Sequence, residues 1–123
     1  MSRSAQTVPG FFVLGATHHQ APLHIREKLS LAAATADQLH TELTALHGLR
    51  EFAMLNTCNR VEFYGVAETA EATAAVQTAF CRWQDFPEAE FGKYRLSLEG
   101  TAAVRHLLEV AAGLDSQLIG ETE

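Results

Sequence analysis

The feature that most constrains the fold is a pair of short apolar runs four residues apart. Phe52 to Asn56 and Val61 to Val66 flank the tetrapeptide Thr57-Cys58-Asn59-Arg60. Both runs favour a pleated, half-buried surface, and the gap has hairpin length. Asn59 tolerates positive φ and so suits a tight turn. Three further patterns surround the hairpin. "FFVLGATH", Phe11 to His18, reads as a buried strand, and Pro22 discourages helix at Ala21. Leu39, Leu43 and Leu46 share one face of a helix expected from about Ala33 to His47, with Gly48 as its stop. Beyond the hairpin, "ETAEATAAVQTAFCRWQDF" is amphipathic, with Ala72, Val76, Ala79, Phe80 and Trp83 inward. "KYRLSL" reads as a fourth strand and Thr101 to Ala112 as a helix ending at Gly113. Val104, Leu107, Leu108 and Ala111 are its expected core face, with His106 at the margin. The order β-α-β-β-α-β-α predicts an α+β fold. It is a ferredoxin-like split βαβ sandwich, an antiparallel sheet with helices on one face, followed by an extra C-terminal helix.

The totals fit that size of object. A chain of 123 residues, 47% apolar and 20% charged, supports one domain with its own core, expected over residues 11–123. Residues 1–10 carry no hydrophobic signal core and read as a disordered tail. No apolar run reaches bilayer length, so the expectation is a cytoplasmic protein with no membrane partner. A net charge of −6 disfavours general nucleic-acid binding, which depends on neutralising phosphates. Six histidines occur, but only His18 and His19 are adjacent, and no HExxH spacing appears; no metal site is expected.

Two cysteines remain, with no CxxC pair between them. Cys81 lies between Phe80 and Arg82 on an amphipathic helix and reads as structural. Cys58 is different, because it sits in the turn with polar neighbours on both sides. Converging backbone N–H groups and the charge of Arg60 would favour its thiolate, the reactive form. The alternative is a small hydrophobe beside a surface arginine. A thiolate nucleophile needs a positioned acid or base, usually histidine. His18 closes the first strand, His19 and His24 follow in the loop, and His40 and His47 sit solvated on the first helix. Spacing does not choose among His18, His19 and His106.

Four stretches together carry a resemblance to a known family. They are "GATHHQAPLHIREKL" (Gly15 to Leu29), "LNTCNRVEFYGV" (Leu55 to Val66), "AAVRHLLEVAAGLDSQLIGETE" (Ala102 to Glu123), and the intervening helices at matching lengths. The chain resembles the N-terminal catalytic domain of the glutamyl-tRNA reductases, which make glutamate-1-semialdehyde for tetrapyrrole synthesis. The resemblance implies that Cys58 attacks the glutamyl ester of charged tRNA to form a thioester, which a hydride from NADPH then reduces. It implies a substrate-binding turn of Thr57, Asn59 and Arg60, with Arg60 on the substrate carboxylate. It implies further substrate contacts from Ser116, Glu121, Thr122 and Glu123, and a catalytic role for His106. His18 matches a family histidine with its role open. One departure is Glu123, where the family often has glutamine. The family enzyme continues through a spinal helix into NADPH-binding and dimerisation domains, and no GxGxxG occurs here. The expectation is therefore a catalytic fragment that ends as the spinal helix begins and does not reduce by itself. Its whole enzyme would be a homodimer that hands its product to the aminomutase. Other Cys-His acyl transferases or hydrolases, and a non-enzymatic ferredoxin-like binding module, are the alternatives.

Overall fold

The computed structural model describes residues 10–57 and 59–113. In chain order the elements are β1 (Gly10–Thr17), α1 (Leu23–Leu29), α2 (Ala33–Thr44), β2 (Leu49–Asn56) and β3 (Arg60–Ala67). Then come α3 (Ala70–Trp83), α4 (Glu88–Tyr94), β4 (Leu96–Glu99) and α5 (Gly100–Ala111). The strands form one sheet in the order β2-β3-β1-β4, with each neighbouring pair antiparallel. This is the α+β, ferredoxin-like arrangement expected from the element order. β1 starts at Gly10, one residue inside the stretch read as tail.

The inner strands β1 and β3 are buried on both faces, and their alternating side chains divide two cores. Phe12, Leu14 and Ala16 of β1 and Val61 and Phe63 of β3 face α1 to α4. There they meet Ile25 and Leu29, Leu39 and Leu43, Val76, Ala79 and Phe80, and Phe91. Phe80 links the layer, with its ring 5.0 Å from Phe63 and 5.7 Å from Phe91, both edge to face. Each such pair contributes roughly 0.5–1.5 kcal/mol beyond area burial. The opposite face carries Val13 and Tyr64, flanked by Phe11, Leu55, Leu96 and Leu98, and is covered by Ala103 of α5.

Local signals explain most boundaries. Thr69 caps α3 by accepting from the Ala72 amide at 3.2 Å. Gly48, at φ 88°, makes the left-handed exit after α2 that a side chain would strain. α1 and α4 were not anticipated; each has seven residues, too few to show a clear period. Both start directly after a proline, Pro22 and Pro87, whose fixed φ and missing N–H suit a helix entrance. His24 therefore sits on α1 rather than in a loop.

The larger correction concerns α5. Its expected core residues Val104, Leu107 and Leu108 are 44%, 37% and 63% exposed, and Ala111 is exposed too. Ala103 and His106 are the buried pair. The sheet face beneath offers Gly15 and a buried carboxylate, Glu62, so a small residue and a polar one pack there better than the leucine stripe.

Candidate active site

The hairpin expected around Cys58 is present. β2 and β3 pair antiparallel up to Asn56 opposite Val61, and the Thr57 amide donates to the Arg60 carbonyl at 2.8 Å. Cys58 itself lies outside the described residues, as do Ser116, Glu121, Thr122 and Glu123. The Thr57 hydroxyl organises the turn, accepting from the amides of Asn59 at 3.1 Å and Arg60 at 3.3 Å. Those two N–H groups thus point at Thr57 instead of converging on a free anion cradle. Behind the turn, Asn56 fastens β2 to the α1–α2 connection. Its amide donates to the Leu31 carbonyl at 2.8 Å, and its oxygen accepts from the Leu31 amide at 3.2 Å. Truncating it would leave both Leu31 groups seeking partners.

Arg60 opens β3, and it is no surface charge: it is 6% exposed. Strand alternation places Arg60, Glu62 and Tyr64 on the face covered by α5, while Val61 and Phe63 enter the opposite core. Glu62 has no solvent exposure. Its Oε2 accepts from Arg60 Nη1 at 3.1 Å and lies 2.8 Å from His106 Nε2, and its Oε1 accepts from the Tyr64 hydroxyl. The Tyr64 and His106 rings lie nearly parallel, with centroids 6.4 Å apart. Three side chains from β3 and α5, those of Arg60, Tyr64 and His106, thus share the buried carboxylate of Glu62, two strand positions from the turn.

Gly15 makes that cluster possible. It pairs with Glu62 across β1 and β3, and a Cβ there would sit 2.2 Å from the Val61 carbonyl oxygen and 2.8 Å from Glu62 Cα. At the same end of the sheet, Thr17 pairs with Arg60 and turns the chain after β1. Its carbonyl accepts from Gln20 at 3.1 Å and Ala21 at 2.9 Å, and its hydroxyl bonds the Gln20 side chain and the His19 amide. That turn sets His18 and His19 ring against ring, with centroids 4.0 Å apart. His40 and His47 are exposed on and after α2, as expected.

Of the candidate histidines, His106 is therefore the one on the same buried carboxylate as Arg60, although the sequence placed it only at the margin of a helix. Glu62 and Tyr64 went unnoticed. The signal was there: a strand buried on both faces should be nearly continuously apolar, and an arginine, glutamate and tyrosine at alternate positions break that rule. Cys81 is buried, and burial first, then the charge of Glu88, pushes its thiol up to about 11, as suits a structural cysteine. Among the described residues no group of three or more His, Cys, Asp or Glu could hold a metal ion. Nor is any helix there long and apolar enough to cross a membrane.

Comparisons with known proteins identify the family. Residues 14–123 match the family described as Glutamyl-tRNAGlu reductase, N-terminal domain. Glutamyl-tRNA reductase from Heliobacterium mobile is 37% identical over 113 residues, covering 91% of this chain and 26% of that protein. The chloroplastic glutamyl-tRNA reductase 2 of Cucumis sativus is 40% identical over 110 residues, covering 89% and 20%. The solved glutamyl-tRNA reductase from Methanopyrus kandleri superposes with a TM-score of 0.66 at 27% identity, covering 90% of this chain and 24% of that one. The chain spans about a quarter of the length of the curated relatives it matches first. With its match running from β1 to the last residue, the chain belongs to the glutamyl-tRNA reductase family, whose N-terminal domain it carries.

Proposed function

We propose that residues 11–123 are the acyl-transfer domain of an enzyme converting glutamyl-tRNA to glutamate-1-semialdehyde. Cys58 is its nucleophile. The thiolate adds to the ester carbonyl, a C–S bond forms, the C–O bond to the terminal ribose breaks, and the tRNA hydroxyl leaves with a proton. His106 is the residue for that proton, and Arg60 supplies the cation for the substrate's carboxylate. Thr57 shapes the turn that presents Cys58, and Asn59 adds a substrate contact. Ser116, Glu121, Thr122 and Glu123 complete the substrate site. The observation that carries this reading is the convergence of Arg60 and His106 on one buried carboxylate beside the Cys58 turn.

NADPH, which the family reaction requires as hydride donor, does not fit the described residues. Dinucleotide crevices form at the carboxyl ends of parallel strands, and each strand pairing here is antiparallel. The chain alone should therefore pass glutamate from the thioester to water and make no aldehyde. In the whole enzyme we place a homodimer that delivers its product to the aminomutase.

The test is a single-turnover assay with glutamyl-tRNA, comparing this chain with Cys58→Ser. Expected are cysteine-dependent release of glutamate and a glutamyl adduct on the Cys58 peptide by mass spectrometry. Equal release by both proteins with no adduct would overturn the nucleophile. Hydrolysis of simple esters without preference for glutamyl-tRNA would favour a general thiol hydrolase.

A further inference from the structure

Arg60 and Tyr64 both donate to Glu62. A guanidinium offers only N–H groups and stays charged, so Arg60 Nη1 donates to Oε2. The Tyr64 hydroxyl lies against Oε1. The Glu62 oxygen facing Arg60 is thus an acceptor. His106 Nε2 lies 2.8 Å from that same Oε2, a hydrogen-bond distance that needs a proton between them. With Oε2 already accepting from Arg60, the imidazole is the partner able to supply that proton.

We infer that Glu62 is a positioning residue that fixes His106 with its proton on Nε2, so that proton exchange with a reacting group runs through Nδ1. The bond made by one ring nitrogen sets the state of the other. The geometry that enforces this is specific. Gly15 leaves room for the Glu62 side chain, and α5 turns His106 rather than its leucines toward the sheet. A purely structural ion pair between Arg60 and Glu62 would be satisfied without His106. The assignment of the tautomer stands on the hydrogen bonds alone, while its role in the reaction rests on the thioester reading above.

Two measurements test it. The first is long-range 1H–15N correlation of the imidazoles in the labelled chain, with His106 identified by the signals missing from His106→Asn. Protonated Nε2 is expected, and an unprotonated Nε2 overturns the inference. The second compares Glu62→Gln and Glu62→Met in both the spectra and the single-turnover assay. The glutamine oxygen can still accept from Arg60 and His106, so Glu62→Gln should keep the Nε2–H form and rescue most of the rate lost in Glu62→Met. Glu62→Met should release the tautomer and slow acyl transfer by about 10²-fold or more, the usual scale of a general acid–base contribution. Unchanged tautomer and rate in Glu62→Met would overturn the inference. Should that variant not fold, the native and glutamine spectra decide. Should the native chain show protonated Nε2 but no cysteine-dependent turnover, the thioester reading fails and the tautomer assignment stands.

Discussion

At Gly15 a single missing methyl decides whether the site can be built. A Cβ there would overlap backbone atoms of β3, which cannot move without breaking the pairing. Gly15→Ala should therefore destabilise the fold by about 1–3 kcal/mol or more, read from urea denaturation midpoints. Glu62 is the other residue on which the centre depends. Glu62→Ala leaves Arg60 buried beside an empty space, and the expected loss is about 3–5 kcal/mol. Denaturation of Glu62→Ala and of the double variant Arg60→Met/Glu62→Ala separates the two causes: the double variant should recover much of the loss, because no buried guanidinium is then left without the Glu62 carboxylate. Cys81 gives a prediction in pH. Its folded thiol ionises near 11, against an ordinary value of 9.0. The folded state keeps a proton that the unfolded chain gives up. The stabilisation is therefore present below about pH 9 and fades as pH climbs through about 11. Cys81→Ala should flatten the fall in stability across that window, and alkylation of Cys81 near neutral pH should be slow.

Among the elements, α5 separates pattern from placement. Its strongest apolar stripe, Val104, Leu107 and Leu108, does not face the sheet, and Ala103 and His106 do. Leu108→Ser should change stability by no more than about 0.5 kcal/mol, as expected of an exposed position. Ala103→Val, which overfills a fully buried site, should cost about 1–3 kcal/mol. The opposite ranking in thermal melts would restore the leucine stripe to the core. The clasp between α2 and α3 is modest by comparison. Glu42 accepts from Arg82 and from Trp83 Nε1 at 2.8 Å, and those bonds, Arg82 first, hold its carboxyl below the ordinary 4.5. Its contribution is present above that value and lost as pH falls below it. Because the pair is largely exposed, Glu42→Gln should cost roughly 0–1 kcal/mol at neutral pH and almost nothing in acid. The long elements were legible because their periods are long enough to read: Leu39 with Leu43, and Ala72 with Val76, Ala79 and Phe80, are buried as the pattern requires. α1 and α4 were not, since two turns of helix do not establish a period.

Taken as a whole, the chain is acidic and its sheet lies between helices, with the candidate site at the end where β3 begins. A net charge of −6 gives it little electrostatic hold on a polyanion. Filter binding of tRNA to this chain should therefore be weak, with a shallow dependence on salt; tight binding with a steep slope would require a basic surface that the composition does not supply. The sequence by itself determined the order of the strands and the longer helices, the hairpin around Cys58, the α+β class and the family resemblance. Those features rest on local periods, turn residues and short motifs, which a chain carries wherever it folds. Only the tertiary structure decided which face of α5 meets the sheet, that Arg60 is buried, and that Glu62 joins Arg60, Tyr64 and His106. Glu62 and His106 are 44 residues apart and meet because β1 and β3 pair in a register that sets Gly15 opposite Glu62. Local pattern contains no information about such a distant pairing, so a buried carboxylate and its donors become visible only once the sheet and its covering helix are in place.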